Sequence, residues 1–271
     1  MPVFHFAFEK GDLPIMNLLV IGDVVGSGGC RHLRTHLSAF KRTKGIDLVI
    51  ANGENAADGN GLTPSAADFL FSSGVDVITT GNHAFRRAEI YDTFESEPYL
   101  VRPANYPAGA PGRGWCIYDM GRVQVCIANL MGTVYMDSLD CPFRTADAIL
   151  QATPSAAIHI FDVHAEATAE KRALGFYLDG RASVVFGTHT HVQTADNCIL
   201  PQGTGYMTDI GMTGAVNSVL GIQPPLAIAK MKQKLPVRFA AADGEHMMNC
   251  ALFHVDDRTG RTLSAERFDI R

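Results

Sequence analysis

Asn17-Leu18-Leu19-Val20-Ile21-Gly22-Asp23 is a short apolar run that stops on a glycine and a carboxylate, and the same device recurs along the chain. Residues 48–51 run into Asn52-Gly53-Glu54-Asn55, residues 75–80 into Gly81-Asn82-His83, residues 157–163 into His164, and residues 183–186 into Gly187-Thr188-His189-Thr190-His191. Near-continuous Val, Ile and Leu over such lengths marks strands covered on both faces. Between them lie helical stretches. Residues 29–43 carry Leu33, Leu37 and Phe40 at helical spacing, and Thr63-Pro64 is an N-cap and first-turn pair for a helix ending at Ser73, with Gly74 as its stop. Residues 145–151 and 167–175 read as further helices, the second with Glu170, Lys171 and Arg172 at exposed positions. Strand and helix therefore alternate, which predicts an α/β fold with a mostly parallel sheet built from βαβ units. From residue 199 the pattern changes to short strand candidates separated by turn signals such as Asp256-Asp257-Arg258-Thr259-Gly260, which predict antiparallel hairpins. Pattern alone fits both two packed sheets with helices outside and one mixed sheet.

The chain has 271 residues, 46% of them hydrophobic, enough for a sizeable core and incompatible with disorder. Nothing in the middle reads as a linker, so one domain over residues 16–271 is expected, preceded by an N-terminal extension over 1–15. That extension lacks a basic leader and is interrupted by Glu9, Lys10 and Asp12, so it is not a signal peptide. The apolar runs are too short to cross a bilayer, and no membrane partner is expected. The six cysteines are scattered without a C-x-x-C pair. They read as reduced, mostly buried thiols of a cytoplasmic protein, and they exclude a cysteine-based zinc site. A net charge of -5 argues against binding nucleic acid through general basicity, so any anionic substrate must be held by something else. The ten histidines are the unusual count, since imidazole is the commonest metal ligand and the usual acid or base at neutral pH.

Asp23, Glu54, Asn55, Asn82, His83, His164, His189 and His191 all stand where a strand ends and a loop begins. In open α/β folds that rim is where ligands bind. Carboxylate, amide oxygen and imidazole together suit Mn, Fe or Zn. The donors exceed the needs of one ion. Two ions roughly 3.5–4 Å apart, sharing a carboxylate, would use them, as in phosphatases and nucleases.

The order Gly22-Asp23, Gly53-Glu54-Asn55, Gly81-Asn82-His83, His164 and Gly187-Thr188-His189-Thr190-His191 resembles the calcineurin-like metallophosphoesterases. More narrowly it resembles their YmdB-type branch of bacterial 2',3'-cyclic-nucleotide phosphodiesterases, with a close likeness over Asn52-Gly53-Glu54-Asn55-Ala56-Ala57-Asp58-Gly59, His164-Ala165-Glu166-Ala167-Thr168 and residues 187–196. The likeness runs from Met16 to the C-terminus. Val25 replaces the superfamily's usual first-motif histidine, Glu54 its usual bridging aspartate, and Ala84 an acidic residue that often follows the Asn-His pair; the branch shares these changes. The resemblance implies a four-layer α/β/β/α sandwich of two mixed sheets flanked by helices. It also implies one ion on Asp23, Glu54, Asn55 and His191 and a second on Glu54, Asn82, His164 and His189, iron first, with manganese or zinc as alternatives. Attack on phosphorus would come from a hydroxide held between the ions, with His83, the histidine left without a metal, as general acid. The implied partner is a small-molecule phosphodiester, RNA-derived nucleotides among them; a homo-oligomer is left open.

Each residue alone has a structural reading: Asp23 as a helix cap, Asn55 and Asn82 as turn residues, His164 as an ordinary hydrogen-bonded histidine. Their ordered conjunction favours the site. His5, His32, His36, His159, His246 and His254 are read as structural or surface residues. In residues 22–29 no Gly-Lys-Ser/Thr follows and the G-x-G-x-x-G frame fails at Arg31, so the glycines are read as a tight turn past Asp23 and not as a nucleotide loop. Asn105 and Arg144 are lesser candidates for substrate contact, Arg144 as a bidentate phosphate clamp. The alternative functions are a phosphomonoesterase or nuclease on the same site, or a regulator that binds nucleotide or RNA and keeps the metals for architecture.

Overall fold

A computed structural model describes residues 15–271; the extension expected over 1–15 lies, apart from Ile15, outside the described residues. The chain runs through β1 (Ile15–Ile21), β2 (Asp23–Val24), α1 (Gly26–Lys44), β3 (Leu48–Asn52), α2 (Pro64–Ser72), β4 (Val77–Thr79), α3 (Tyr91–Ser96) and β5 (Leu100–Val101). It continues through β6 (Trp115–Asp119), β7 (Gln124–Met131), α4 (Pro142–Ala152), β8 (Ile158–His164), α5 (Thr168–Leu178) and β9 (Val184–Thr188). The last part holds β10 (Cys198–Ile199), β11 (Gly205–Met207), β12 (Met212–Ala215), α6 (Pro224–Gln233), β13 (His246–Asp256) and β14 (Thr262–Ile270).

Two sheets form, and both are mixed. In the first, β1, β3, β4 and β5 are parallel neighbours, while β13 lies antiparallel to β1, β12 and β14, with β2 parallel to β12 beyond the end of β1. In the second, β7, β8, β9 and β11 are parallel, and β6 and β10 close its edges antiparallel. The hairpin expected around residues 256–260 is the β13–β14 turn.

Strand alternation sorts the apolar residues into three layers. Leu18, Val20 and Ile50 of the first sheet meet Val125, Ile127, Ile160 and Phe186 of the second. Leu19 and Ile21 point the other way, onto Leu33 and Leu37 of α1 and Leu70 of α2. Cys126, Ala128, Phe161 and Val163 pack outward against Ile149 of α4 and Leu174 and Leu178 of α5. Helix, sheet, sheet and helix are therefore stacked in that order, the four-layer arrangement expected.

Two local readings are corrected. Helix α1 begins at Gly26, three residues before the expected start at residue 29, and the tight turn expected past Asp23 falls at Gly26, whose φ of +63° suits glycine. Glu170 and Lys171 are not on the exposed face of α5: they are 8% and 1% exposed. Both carry polar contacts that remove their need for water.

Candidate metal centre

All five polar segments meet at the C-terminal ends of parallel strands, three from the first sheet and two from the second. Asp23 follows β1, Glu54 and Asn55 follow β3, Asn82 and His83 follow β4, His164 is the last residue of β8, and His189 and His191 follow β9. The close approach of the sheets here depends on a missing side chain: a Cβ on Gly81 would overlap the His164 ring.

Distances divide the donors into two sets. In one, His191 Nε2 lies 3.7 Å from Asp23 Oδ1 and 3.4 Å from Asn55 Nδ2, which itself donates to Glu54 Oε1 at 3.0 Å. In the other, His164 Nε2 lies 3.4 Å from Glu54 Oε1, 2.9 Å from Asn82 Oδ1 and 3.1 Å from His189 Nδ1. One ligand atom each from Glu54, His164 and His189 falls within 4.8 Å of the others. Glu54 is common to both sets. His83 stands beside them, its backbone N–H donating to Glu54 Oε2 at 2.9 Å and its Nδ1 lying 3.0 Å from Glu54 Oε1 and 2.9 Å from Asn55 Oδ1.

The acceptors behind the three histidines fix which nitrogen each presents. Thr188 Oγ1 gives its proton to Asp162 Oδ1 at 2.7 Å, so it accepts from His164 Nδ1–H at 2.9 Å, and Nε2 is left facing Glu54. His191 Nδ1–H donates to the Leu220 carbonyl at 3.2 Å, leaving Nε2 toward Asp23. His189 Nε2–H faces Glu166 Oε2 at 3.2 Å, leaving Nδ1 toward His164. Three imidazole nitrogens thus converge.

The charge balance asks for a cation. Asp23 is fully buried; its Oδ2 accepts the His189 backbone N–H at 3.0 Å, but its Oδ1 has no hydrogen-bond partner among the described residues. An orphaned buried carboxylate oxygen is costly unless a positive charge meets it. Burial pushes the Asp23 carboxyl up, against the pull of His191 and His164. Burial also opposes ionisation of Glu54, yet His164 and His83 beside it hold its carboxyl well below the usual range. For His164, burial is outweighed by Glu54, Asp23 and Asp162, which push it up to about 9. His189, buried and next to His164, falls to about 3 and stays neutral. A buried carboxylate oxygen unmatched by any hydrogen bond, with imidazole nitrogens aimed at the same volume, fits transition-metal ions.

The His189-Thr190-His191 turn carries strain. His189 has φ +93° and His191 φ +63°, conformations that cost a non-glycine residue on the order of 1–3 kcal/mol each.

Of the lesser candidates, Asn105 is scaffold: its amide donates to the Met131 and Asp140 carbonyls and accepts the Met131 N–H, with no group left for a substrate. Arg144 is exposed in the first turn of α4. Sequence reasoning missed Asp162, Thr188, Glu166, Lys171 and Asp209. A carboxylate inside the otherwise apolar run 157–163 was the available signal for Asp162. A cavity of about 910 Å³ between α3 and α4, lined by Tyr99, Arg102, Arg113 and Trp115, lies away from the centre; Arg102 there is spent on the carbonyls of Pro103, Ala110 and Pro111.

The YmdB-like protein family matches residues 19–268. The chain belongs to the YmdB-like family. A 2',3'-cyclic-nucleotide 2'-phosphodiesterase of Bacillus subtilis (strain 168) is 45% identical over 253 residues, which cover 93% of this chain and 96% of that protein. The crystal structure of a hypothetical protein from Thermus thermophilus superposes with a TM-score of 0.89 at 42% identity, covering 94% of this chain and 98% of the other. A novel phosphatase from Mycoplasma pneumoniae superposes with a TM-score of 0.91 at 31% identity, covering 96% and 94%. The sandwich of this YmdB-like chain is thus that of the calcineurin-like metallophosphoesterases, as the motif order implied.

Proposed function

We propose that the protein hydrolyses phosphoric diesters, with 2',3'-cyclic nucleotides as the substrate class, at a centre that holds two cations. The observation that carries this reading is the division of seven donors into two sets joined by Glu54, with His83 beside both and in neither. Asp23, Glu54, Asn55 and His191 would hold one ion, and Glu54, Asn82, His164 and His189 the other; iron, manganese and zinc all suit such donors. When bound, ions of this kind polarise phosphoryl oxygens and lower the pKa of water from 15.7 to about 7. The likeness to the Bacillus subtilis phosphodiesterase supports the same substrate class here.

His83 is the general acid. Its Nδ1 is held by Glu54 and Asn55, which fixes the ring, and its Nε2 has no partner among the described residues. The side chain is 29% exposed, within reach of an incoming ester. A proton on Nε2 passes to the ribose oxygen as its bond to phosphorus breaks. Glu54 thereby serves two tasks, joining the cation sets and orienting the acid.

His83→Ala is expected to lower hydrolysis of 2',3'-cyclic AMP by about 10²–10⁴-fold while two metals per chain remain bound. Glu54→Ala is expected to lose metal from both positions. Unchanged turnover in the first variant removes His83 from the mechanism. If the purified protein holds no transition ion, and added manganese or iron yields no hydrolysis of cyclic nucleotides or of bis-p-nitrophenyl phosphate, the enzyme reading fails. Turnover of p-nitrophenyl phosphate alone would place it among the phosphomonoesterases.

A further inference from the structure

Lys171 stands on the apolar side of α5, in line with Leu174 and Leu178, and all three are buried. An ammonium taken out of water is tolerated only when it is paired and hydrogen-bonded. Its partner is Asp209, also fully buried, with Nζ 2.7 Å from Oδ2. The same carboxylate oxygen accepts the Thr190 backbone N–H at 3.1 Å and the Thr190 hydroxyl at 2.7 Å, and Oδ1 accepts the Gly211 N–H at 2.8 Å. Asp209 is itself fixed, since its backbone N–H donates to Thr194 Oγ1 and its carbonyl accepts the Thr194 N–H, each at 3.0 Å. A Cβ on Gly187 would lie 2.8 Å from Lys171 Cδ and overlap the Thr208 carbonyl, so the strand leading into the turn leaves space for the lysine stem.

Thr190 is the residue between His189 and His191, both in the left-handed region. Such a turn persists only where its surroundings over-determine it. Asp23 holds the His189 N–H and Leu220 the His191 ring, but among the described residues the peptide between them is held by Asp209 alone. We propose that the buried Lys171–Asp209 pair is the positioning device of this turn: it fixes the peptide of Thr190 so that the two flanking imidazoles face opposite halves of the centre, and in doing so sets the affinity for cations. Neither residue touches the reacting atoms. The part concerning cations rests on the two-cation reading above; the part concerning the turn stands without metal.

The test is Lys171→Met/Asp209→Asn, which removes both charges together and strands neither in the interior. In metal-free protein, hydrogen exchange at the Thr190 amide should accelerate by about tenfold or more, with core amides of β8 unchanged, since loss of an anchor opens the turn locally. Mn²⁺ affinity by calorimetry should fall by about 10- to 100-fold, while the urea midpoint stays near that of wild type, because removing a buried pair as a pair is often neutral. Unaltered exchange at Thr190, or Mn²⁺ affinity within about twofold of wild type in the folded variant, overturns the proposal. So does a fall in global stability that accelerates β8 and Thr190 alike. If the double variant does not fold, Thr190→Val removes only the hydroxyl contact: a several-fold loss of Mn²⁺ affinity supports the device, and no loss overturns it. Wild-type protein that binds no Mn²⁺ counts against the two-cation reading, and the exchange measurement then decides the turn by itself.

Discussion

The Thr188 hydroxyl is the nearest partner of His164 Nδ1, at 2.9 Å against 3.3 Å for Asn52 Nδ2, and favours Nε2 as the nitrogen turned toward the centre. Thr188 receives the Nδ1 proton and passes its own to Asp162, whose second oxygen is held by Thr79 Oγ1 at 2.5 Å. Thr188→Val keeps the shape of the side chain and removes both links, leaving His164 free to exchange tautomers and Asp162 short of a donor. Outer partners of this kind are worth about 10–100-fold in metal affinity. The expected result is therefore a drop of that size in Mn²⁺ binding, measured by calorimetry, in a protein that still folds; unchanged binding would show that Asn82 and Glu54 suffice to orient the ring. The donors nearest the proposed ions were legible in the sequence because each interrupts an apolar run at its end, where loops begin. Asp162 and Thr188 were not, because they sit within strand-like runs and their partners come from the facing sheet, a relation that only tertiary structure supplies.

At the scale of elements, local chemistry was readable where a helix start depends on adjacent residues and unreadable where it depends on distant ones. Thr63-Pro64 opens α2 as expected, with the Thr63 hydroxyl accepting the Ala66 N–H at 3.1 Å and Pro64 in the first turn. Thr63→Ala leaves that donor without its side-chain acceptor and is expected to cost about 0.5–2 kcal/mol, read as a lower urea midpoint at unchanged slope; Thr63→Ser should cost little. At α5 the charge of residues 170–172 argued for solvent, while the helical period of Lys171, Leu174 and Leu178 argued for the interior. The period was the better guide. Glu170 is buried for a related reason: its carboxylate accepts the N–H groups of Thr133 and Val134 and the Thr133 hydroxyl, tying the loop after β7 to the helix. One face of α5 therefore fastens two loops that border the centre, and neither fastening has a local signature.

Across the whole molecule, the sequence alone fitted two sheets or one, because strand pairing between remote segments is not encoded in any single run; the order of motifs, through the resemblance it carried, chose the sandwich. The cysteines sample all three apolar layers of that sandwich. Cys30, on the buried side of α1, and Cys250 of β13 lie between that helix and the first sheet, Cys116 between the sheets, and Cys126 under the helices of the second sheet. Burial pushes the Cys30 and Cys126 thiols up to about 11 and Cys116 to about 12, with Cys250 also driven upward by burial. Cys141 is different: it precedes the first turn of α4, and the backbone N–H of Arg144, with that of Phe143, draws its thiol below the ordinary value. Since the thiolate is the reactive form, a raised value keeps a thiol inert at pH 8 and a lowered one makes it the more reactive. Titration of the native protein with a chromogenic disulfide should therefore modify Cys141 first. Half-buried Cys198, raised by burial, should follow more slowly, and the remaining four only when urea opens the layers. Peptide mapping assigns each site. Modification of Cys116 or Cys250 at the rate of Cys141 in native buffer would mean that the layers open far more readily than close-packed sheets of this kind allow.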